Sequence, residues 1–265
     1  SGHPTQPGEV KLSKTATAVD GMVNTWDVTV RVEGKDTTKT SDIVLVIDRS
    51  GSMKDNDRMK AAKEAAKQFV STLLPDSNTR IAIVSFAGDV TVDQALTNDS
   101  SALDSAIDDI YADGGTFTQA GIKQAEALLA YSNADVKNIV LLSDGEPTYS
   151  YYITNAESHL VLKNGYYETS TKIPQSAFNY EYYVGDGKNM FTYGDRYNRR
   201  NWYYNHGNST IAEATIAKNA GYTMWTVAVN AGNTGKSVLS QCATDNNHAK
   251  STEKPEELKK IFTEI

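Results

Sequence analysis

The chain has little of what would place a protein quickly. Its one cysteine, Cys242, among 265 residues rules out an internal disulfide, which suits a cytosolic protein or a secreted one stabilised in another way. Cys242 sits with Val238 and Leu239 on one side of a helical pattern and reads as a small core residue rather than a reactive thiol. No apolar run approaches the ~20 residues of a membrane span. No cationic and apolar leader opens the sequence, and Ser1-Gly2-His3-Pro4 reads as a scar of processing or cloning. Cations are in deficit, with 26 Lys and Arg against 33 Asp and Glu for a net charge of −7. That balance argues against a nucleic-acid partner, which needs clustered Lys and Arg. His159, His206 and His248 show no ligand spacing, so a zinc site is not expected. Hydrophobic content of 39% and charged content of 22% are ordinary for one large domain or a domain with appendages.

What is present begins with Ile43-Val44-Leu45-Val46-Ile47, an apolar run without polar alternation. Such runs are strands buried on both faces, typical of parallel sheets covered by helices. Asp48-Arg49-Ser50-Gly51-Ser52-Met53 follows at the strand's carboxyl end, where open α/β sheets bind ligands. A carboxylate and two hydroxyls at alternate positions, with Gly51 allowing a tight fold, present three oxygens to one point. Oxygens of that kind suit a hard cation. The bland alternative is that Asp48, Ser50 and Ser52 cap a helix or close a turn.

Strands and helices then alternate. Met59, Ala62, Ala66, Phe69, Val70 and Leu73 recur at helical spacing before Pro75. Strands are expected at 80–86, 137–143 and 222–229, with a returning edge strand at 89–96 and a short strand near 248–251. Helices are expected at about 99–110, 117–131, 211–220, 237–243 and 255–265. The pattern predicts a doubly wound, mostly parallel sheet flanked by helices, with one short antiparallel edge strand. In the order 3-2-1-4-5-6 the Asp48 and Asp144 strands flank the switch point. Asp144 then faces Asp48, and Thr116, at a helix start after Gly114-Gly115, supplies a third hydroxyl.

Two stretches stand apart. Residues 10–18 and 25–33 read as two strands joined by a turn, and in the second Trp26, Val28, Val30 and Val32 alternate with polar residues. This hairpin within 1–40 is expected to belong to a split or neighbouring β-domain, with 34–41 as linker and 41–265 as the main domain. Residues 147–208 show no periodicity, yet hold twelve of the 15 tyrosines and are too aromatic for disorder. With six cations against five anions the stretch carries +1, leaving −8 elsewhere. It is expected to be an ordered arm inserted after the Asp144 strand. Its aromatics form either its own core or an exposed platform for a sugar or protein surface. The candidate contacts there are Tyr149, Tyr151, Trp202, Tyr203, Tyr204, Arg199 and Arg200, with Glu146 at the loop. The arginines could equally be a solvated face.

Asp-x-Ser-x-Ser after a buried strand, Gly-Gly-Thr-x-Thr opening a helix and Leu-Leu-Ser-Asp-Gly-Glu-Pro ending a later strand together resemble the von Willebrand factor type A domain over about 42–265 apart from the insert. The resemblance implies a metal-ion-dependent adhesion site with Asp48, Ser50, Ser52, Thr116 and Asp144 on Mg²⁺ or Mn²⁺, or on Ca²⁺, directly or through water. A carboxylate of the partner would complete the shell. The arm and leading hairpin resemble the tip adhesins of Gram-positive pili. That implies an extracellular module at a cell wall or pilus tip, binding a host matrix protein or glycan and joined to the pilus backbone through flanking domains. The same resemblance suggests an isopeptide bond at Lys11 or Lys14. The competing functions are a Mg²⁺-dependent hydrolase, for which only Glu146 and Asp113 offer a base near the loops, and a cytosolic type A domain partnering an ATPase.

Overall fold

The structure is a computed structural model that describes residues 2–6, 8–35, 39–263 and 265. Ser1 of the expected scar and residues 36–38 of the expected linker lie outside it. The chain divides into two compact units, 1–40 and 41–265.

The first unit is an antiparallel hairpin of β1 (Val10–Ala18) and β2 (Trp26–Gly34). The pairs Leu12–Val32, Ala16–Val28 and Ala18–Trp26 lie directly opposite one another. Cross-strand partners share a face, so one face is apolar except for Lys14, paired with Val30. The other carries Lys11, Ser13, Thr15, Asp27, Thr29, Arg31 and Glu33. The apolar face is open to solvent, with Leu12, Trp26, Val28, Val30 and Val32 all exposed.

The second unit is built on β3 (Ser41–Asp48), β4 (Thr79–Phe86), β5 (Val90–Thr97), β6 (Val136–Ser143), β13 (Thr223–Val229) and β14 (Ala249–Thr252). They form one sheet, ordered β14-β13-β6-β3-β4-β5, parallel except for edge strand β5. This is the doubly wound order expected, with β3 and β6 adjacent at the switch point. The alternation of β3 explains why its sequence is apolar throughout. Ile43, Leu45 and Ile47 pack with α1 (Arg58–Leu73), α2 (Ser100–Asp108) and α6 (Leu258–Thr263). Val44 and Val46 pack against α3 (Thr118–Ala130), α4 (His206–Asn219) and α5 (Asn233–Cys242). Each side chain so buried contributes about 1.5–3 kcal/mol. Cys242 is a buried member of the second layer.

Two expectations are corrected. Helix α4 begins at His206, not Ile211, because the Asn205 side chain accepts from Asn208 N and caps it. The arm, which showed no period in sequence, contains six strands. Strands β7 (Tyr149–Ile153) and β10 (Phe178–Gly185) pair antiparallel, and β11 (Phe191–Tyr197), β12 (Arg200–Asn205), β9 (Tyr166–Thr169) and β8 (Leu160–Lys163) form a sheet in that order. Their small core includes Ile153, Ile173, Phe178, Trp202 and Tyr204, and rests on Ala212 of α4.

Candidate metal centre

Asp48 is the last residue of β3 and is fully buried. Its Oδ1 accepts from Ser50 N at 2.7 Å and its Oδ2 from Ser143 Oγ at 2.6 Å. Ser50 Oγ lies 3.2 Å from Ser52 Oγ, which donates to Asp144 Oδ1 at 3.0 Å. Asp48, Ser50, Ser52 and Asp144 thus gather in one cluster across the switch point. The Thr116 loop is tied to the Asp48 loop through Gly51 N to Gly114 O at 3.0 Å and Asp113 N to Arg49 O at 2.8 Å. Thr116 is itself buried, with its N donating to Thr148 Oγ1 at 2.9 Å.

This cluster has an electrostatic imbalance. Burial, and next the neighbouring Asp144, push the Asp48 carboxyl up to about 7, against the hydrogen bonds from Ser143 and Ser50. The two carboxylates and the Ser50 and Ser52 hydroxyls, with Thr116 buried on the adjoining loop, offer oxygens suited to a hard cation such as Mg²⁺. Among the described residues no group of three or more His, Cys, Asp or Glu gathers to hold a metal, so a softer, His- or Cys-rich site is not on offer. A cation between the carboxylates would relieve the cost of ionising Asp48, and the residues present therefore fit one.

Sequence reasoning missed two participants. Ser143 adjoins Asp144, and its position as the last residue of β6 was the available signal. Arg58 gave none. Its Nη1 donates to Asp144 Oδ2 at 2.9 Å and to Ser52 O at 3.1 Å. It reaches there from the first turn of α1, entered through Asn56 and Asp57, two consecutive residues with left-handed backbone (φ 52 and φ 56). Neither is glycine, and such conformations cost of order 1 kcal/mol or more each.

The expected ligand contacts divide. Glu146 is exposed on the loop after Asp144. Tyr149 packs on the Thr116 loop so closely that a Cβ at Gly115 would lie 2.6 Å from its ring. Tyr151 packs at a tilt against Phe117, 4.8 Å between centroids, and its N donates to Gln119 Oε1. Arg199 and Arg200 lie at the β11–β12 turn, and Tyr203 is edge-on to Tyr166. Trp202 and Tyr204 are corrected: both are buried in the arm's core, with the Tyr204 hydroxyl near Ile153 N, so neither is an exposed platform.

The doubly wound sheet and the oxygen-rich switch point define the class of protein. Residues 43–146 match the von Willebrand factor type A domain. Its relatives are more particular. It is 30% identical over 277 residues to the minor fimbrium subunit Mfa5 of Porphyromonas gingivalis, covering 85% of this chain but 22% of that protein's length. The crystal structure of the vWF domain of that type V pili tip protein matches with a TM-score of 0.81 at 27% identity, over 86% of this chain and 94% of that one. The pilus adhesin SpaC from Lactobacillus rhamnosus GG shares the fold, with a TM-score of 0.68 at 20% identity over 96% of this chain and 34% of that one.

Proposed function

We propose that the chain is a metal-ion-dependent adhesion module of a pilus tip protein, acting outside the cell. The observation that carries this is the meeting of the buried Asp48, Ser50 and Asp144 with Ser52 across the switch point. Asp48, Ser50, Ser52, Thr116 and Asp144 would hold Mg²⁺ or Mn²⁺. The bound ion would supply an electrophilic seat for a carboxylate of a host protein or glycan. Ser143 and the Ser50 N–H orient Asp48 for that task, and Tyr149 fixes the Thr116 loop from the arm side.

Support for the pilus setting comes from the relatives, which are pilus tip proteins and adhesins by description. A Gram-positive origin forms no part of the proposal, because Mfa5 comes from a Gram-negative organism. The hairpin fits a neighbouring β-domain: coverage of this chain rises from 86% to 97% when the comparison is with the three N-terminal domains of Mfa5 rather than its vWF domain alone. Titration calorimetry with Mg²⁺ tests the proposal. Wild-type protein is expected to bind the ion, and Asp48→Asn to lose binding while keeping its circular dichroism. Equal binding by the variant would falsify the assignment.

A further inference from the structure

A second feature of the arm is unrelated to the metal loops. A cleft of about 780 Å³ opens between the turn after β7 and strand β11, a volume in the range of ligand sites. Glu157, Asp186 and Asp195 line it, and among the described residues no lysine or arginine does. Asp186 is locked by Asn189 N, Asn189 Nδ2 and Lys188 N, and these bonds, led by the Asn189 side chain, hold its carboxyl down at about 2. It is therefore charged at any physiological pH. The one cation next to Asp195 in sequence, Arg196, donates through its guanidinium to Arg199 O at the hairpin end.

Tyr152, Phe191 and Tyr193 also line the cleft and are 41–58% exposed. These rings offer faces to an incoming group. The Trp202 indole lies at the cleft over Gly194, so closely that a Cβ there would be 2.2 Å from the ring.

We propose that this cleft binds a basic segment of a partner protein: its arginine or lysine side chains are taken by Glu157, Asp186 and Asp195 and by the exposed faces of Tyr152, Phe191 and Tyr193. Carboxylates recognise guanidinium by charge-assisted hydrogen bonds, and aromatic faces attract cations within about 6 Å. A neutral sugar would also use ring faces and carboxylates, but three uncompensated negative charges favour a cation over a neutral hydroxyl. An anionic glycan is repelled. This site goes beyond metal-dependent adhesion and does not need the metal.

The test is calorimetry with a capped pentapeptide carrying two arginines between glycines, in EDTA, against the same peptide with citrulline in place of arginine. The arginine peptide is expected to bind, to weaken as salt rises, and to lose at least tenfold in affinity with the double substitution Glu157→Gln and Asp195→Asn, and again with Tyr193→Ala. The substituted side chains are all exposed, and unchanged circular dichroism confirms the fold. Asp48→Asn is expected to leave this binding unaltered, so that failure here and failure of the metal assignment are read separately. Absence of arginine-peptide binding, equal binding of the citrulline peptide, indifference to both sets of substitutions, or preferential binding of a neutral oligosaccharide such as cellobiose each overturns it.

Discussion

At the scale of single residues, Arg58 is the most consequential side chain that the sequence did not reveal. It stands on Asp144 with its side chain 13% exposed and that of Asp144 fully covered, so it already supplies positive charge where a cation is expected. Removing it should strengthen metal binding. For charges of +1 and +2 about 6 Å apart, the repulsion is about 1.4 kcal/mol even at the dielectric of water. Arg58→Ala is therefore expected to tighten Mg²⁺ affinity about tenfold or more in calorimetry, whereas weaker binding would make Arg58 a support that orients Asp144. A second buried pair lies beneath the arm. Glu213 is fully buried and accepts from Gln119 Nε2 at 3.0 Å and from the Tyr180 hydroxyl at 2.9 Å. Burial, and then the hydrogen bond and charge of Glu213, push the Glu126 carboxyl up to about 10. A carboxyl raised from 4.5 contributes stability that is complete below its unfolded value and lost as pH climbs through the folded one. The melting temperature should thus fall between pH 5 and pH 9, and Glu126→Gln, which keeps a donor but cannot ionise, should flatten that slope. Parallel wild-type and variant curves would place the pH dependence elsewhere. Neither Glu126 nor Glu213 stood out in sequence, because a glutamate on a helix reads as solvent-facing until the packing of α3 against α4 is known.

Among the elements, the sheet strands and the arm were unequally legible for one physical reason. Ile43 to Ile47 and Ile139 to Leu142 are buried on both faces and so announce themselves by composition alone. In the arm, tyrosines serve both inside and outside: Tyr204 is buried and Tyr193 exposed, and the amphipathic ring suits either place. The period of two disappears, although strands were there. The Asp48 loop was readable because its candidate oxygens are close in sequence, and Asp144 because strand order could be inferred. Arg58 depends on the kink at Asn56–Asp57, which no local pattern specified. The β1–β2 hairpin was legible by alternation, and its apolar face has no partner among the described residues of its own unit. Because the second unit has its own core, deleting residues 1–40 is expected to leave the melting temperature within about 2 °C and to lower the fluorescence of a dye that binds exposed apolar surface. A fall in melting temperature of more than about 5 °C would show that the hairpin supports the second unit.

For the molecule as a whole, the fold brings together what the sequence separates. Asp48 and Asp144 are far apart along the chain and meet because β3 and β6 are neighbours at the point where crossovers diverge to opposite faces. The arm is inserted at that same place. Four residues, Gly145 to Thr148, separate Asp144 from β7, and Thr148 and Tyr149 are bonded back to the Thr116 loop. A partner gripped by the arm and dragged by flow would pull along this short tether. Part of the load would arrive at Asp144 and Thr116 and the rest at α4, which follows β12 directly, so the loops proposed to hold the ion would themselves carry tension.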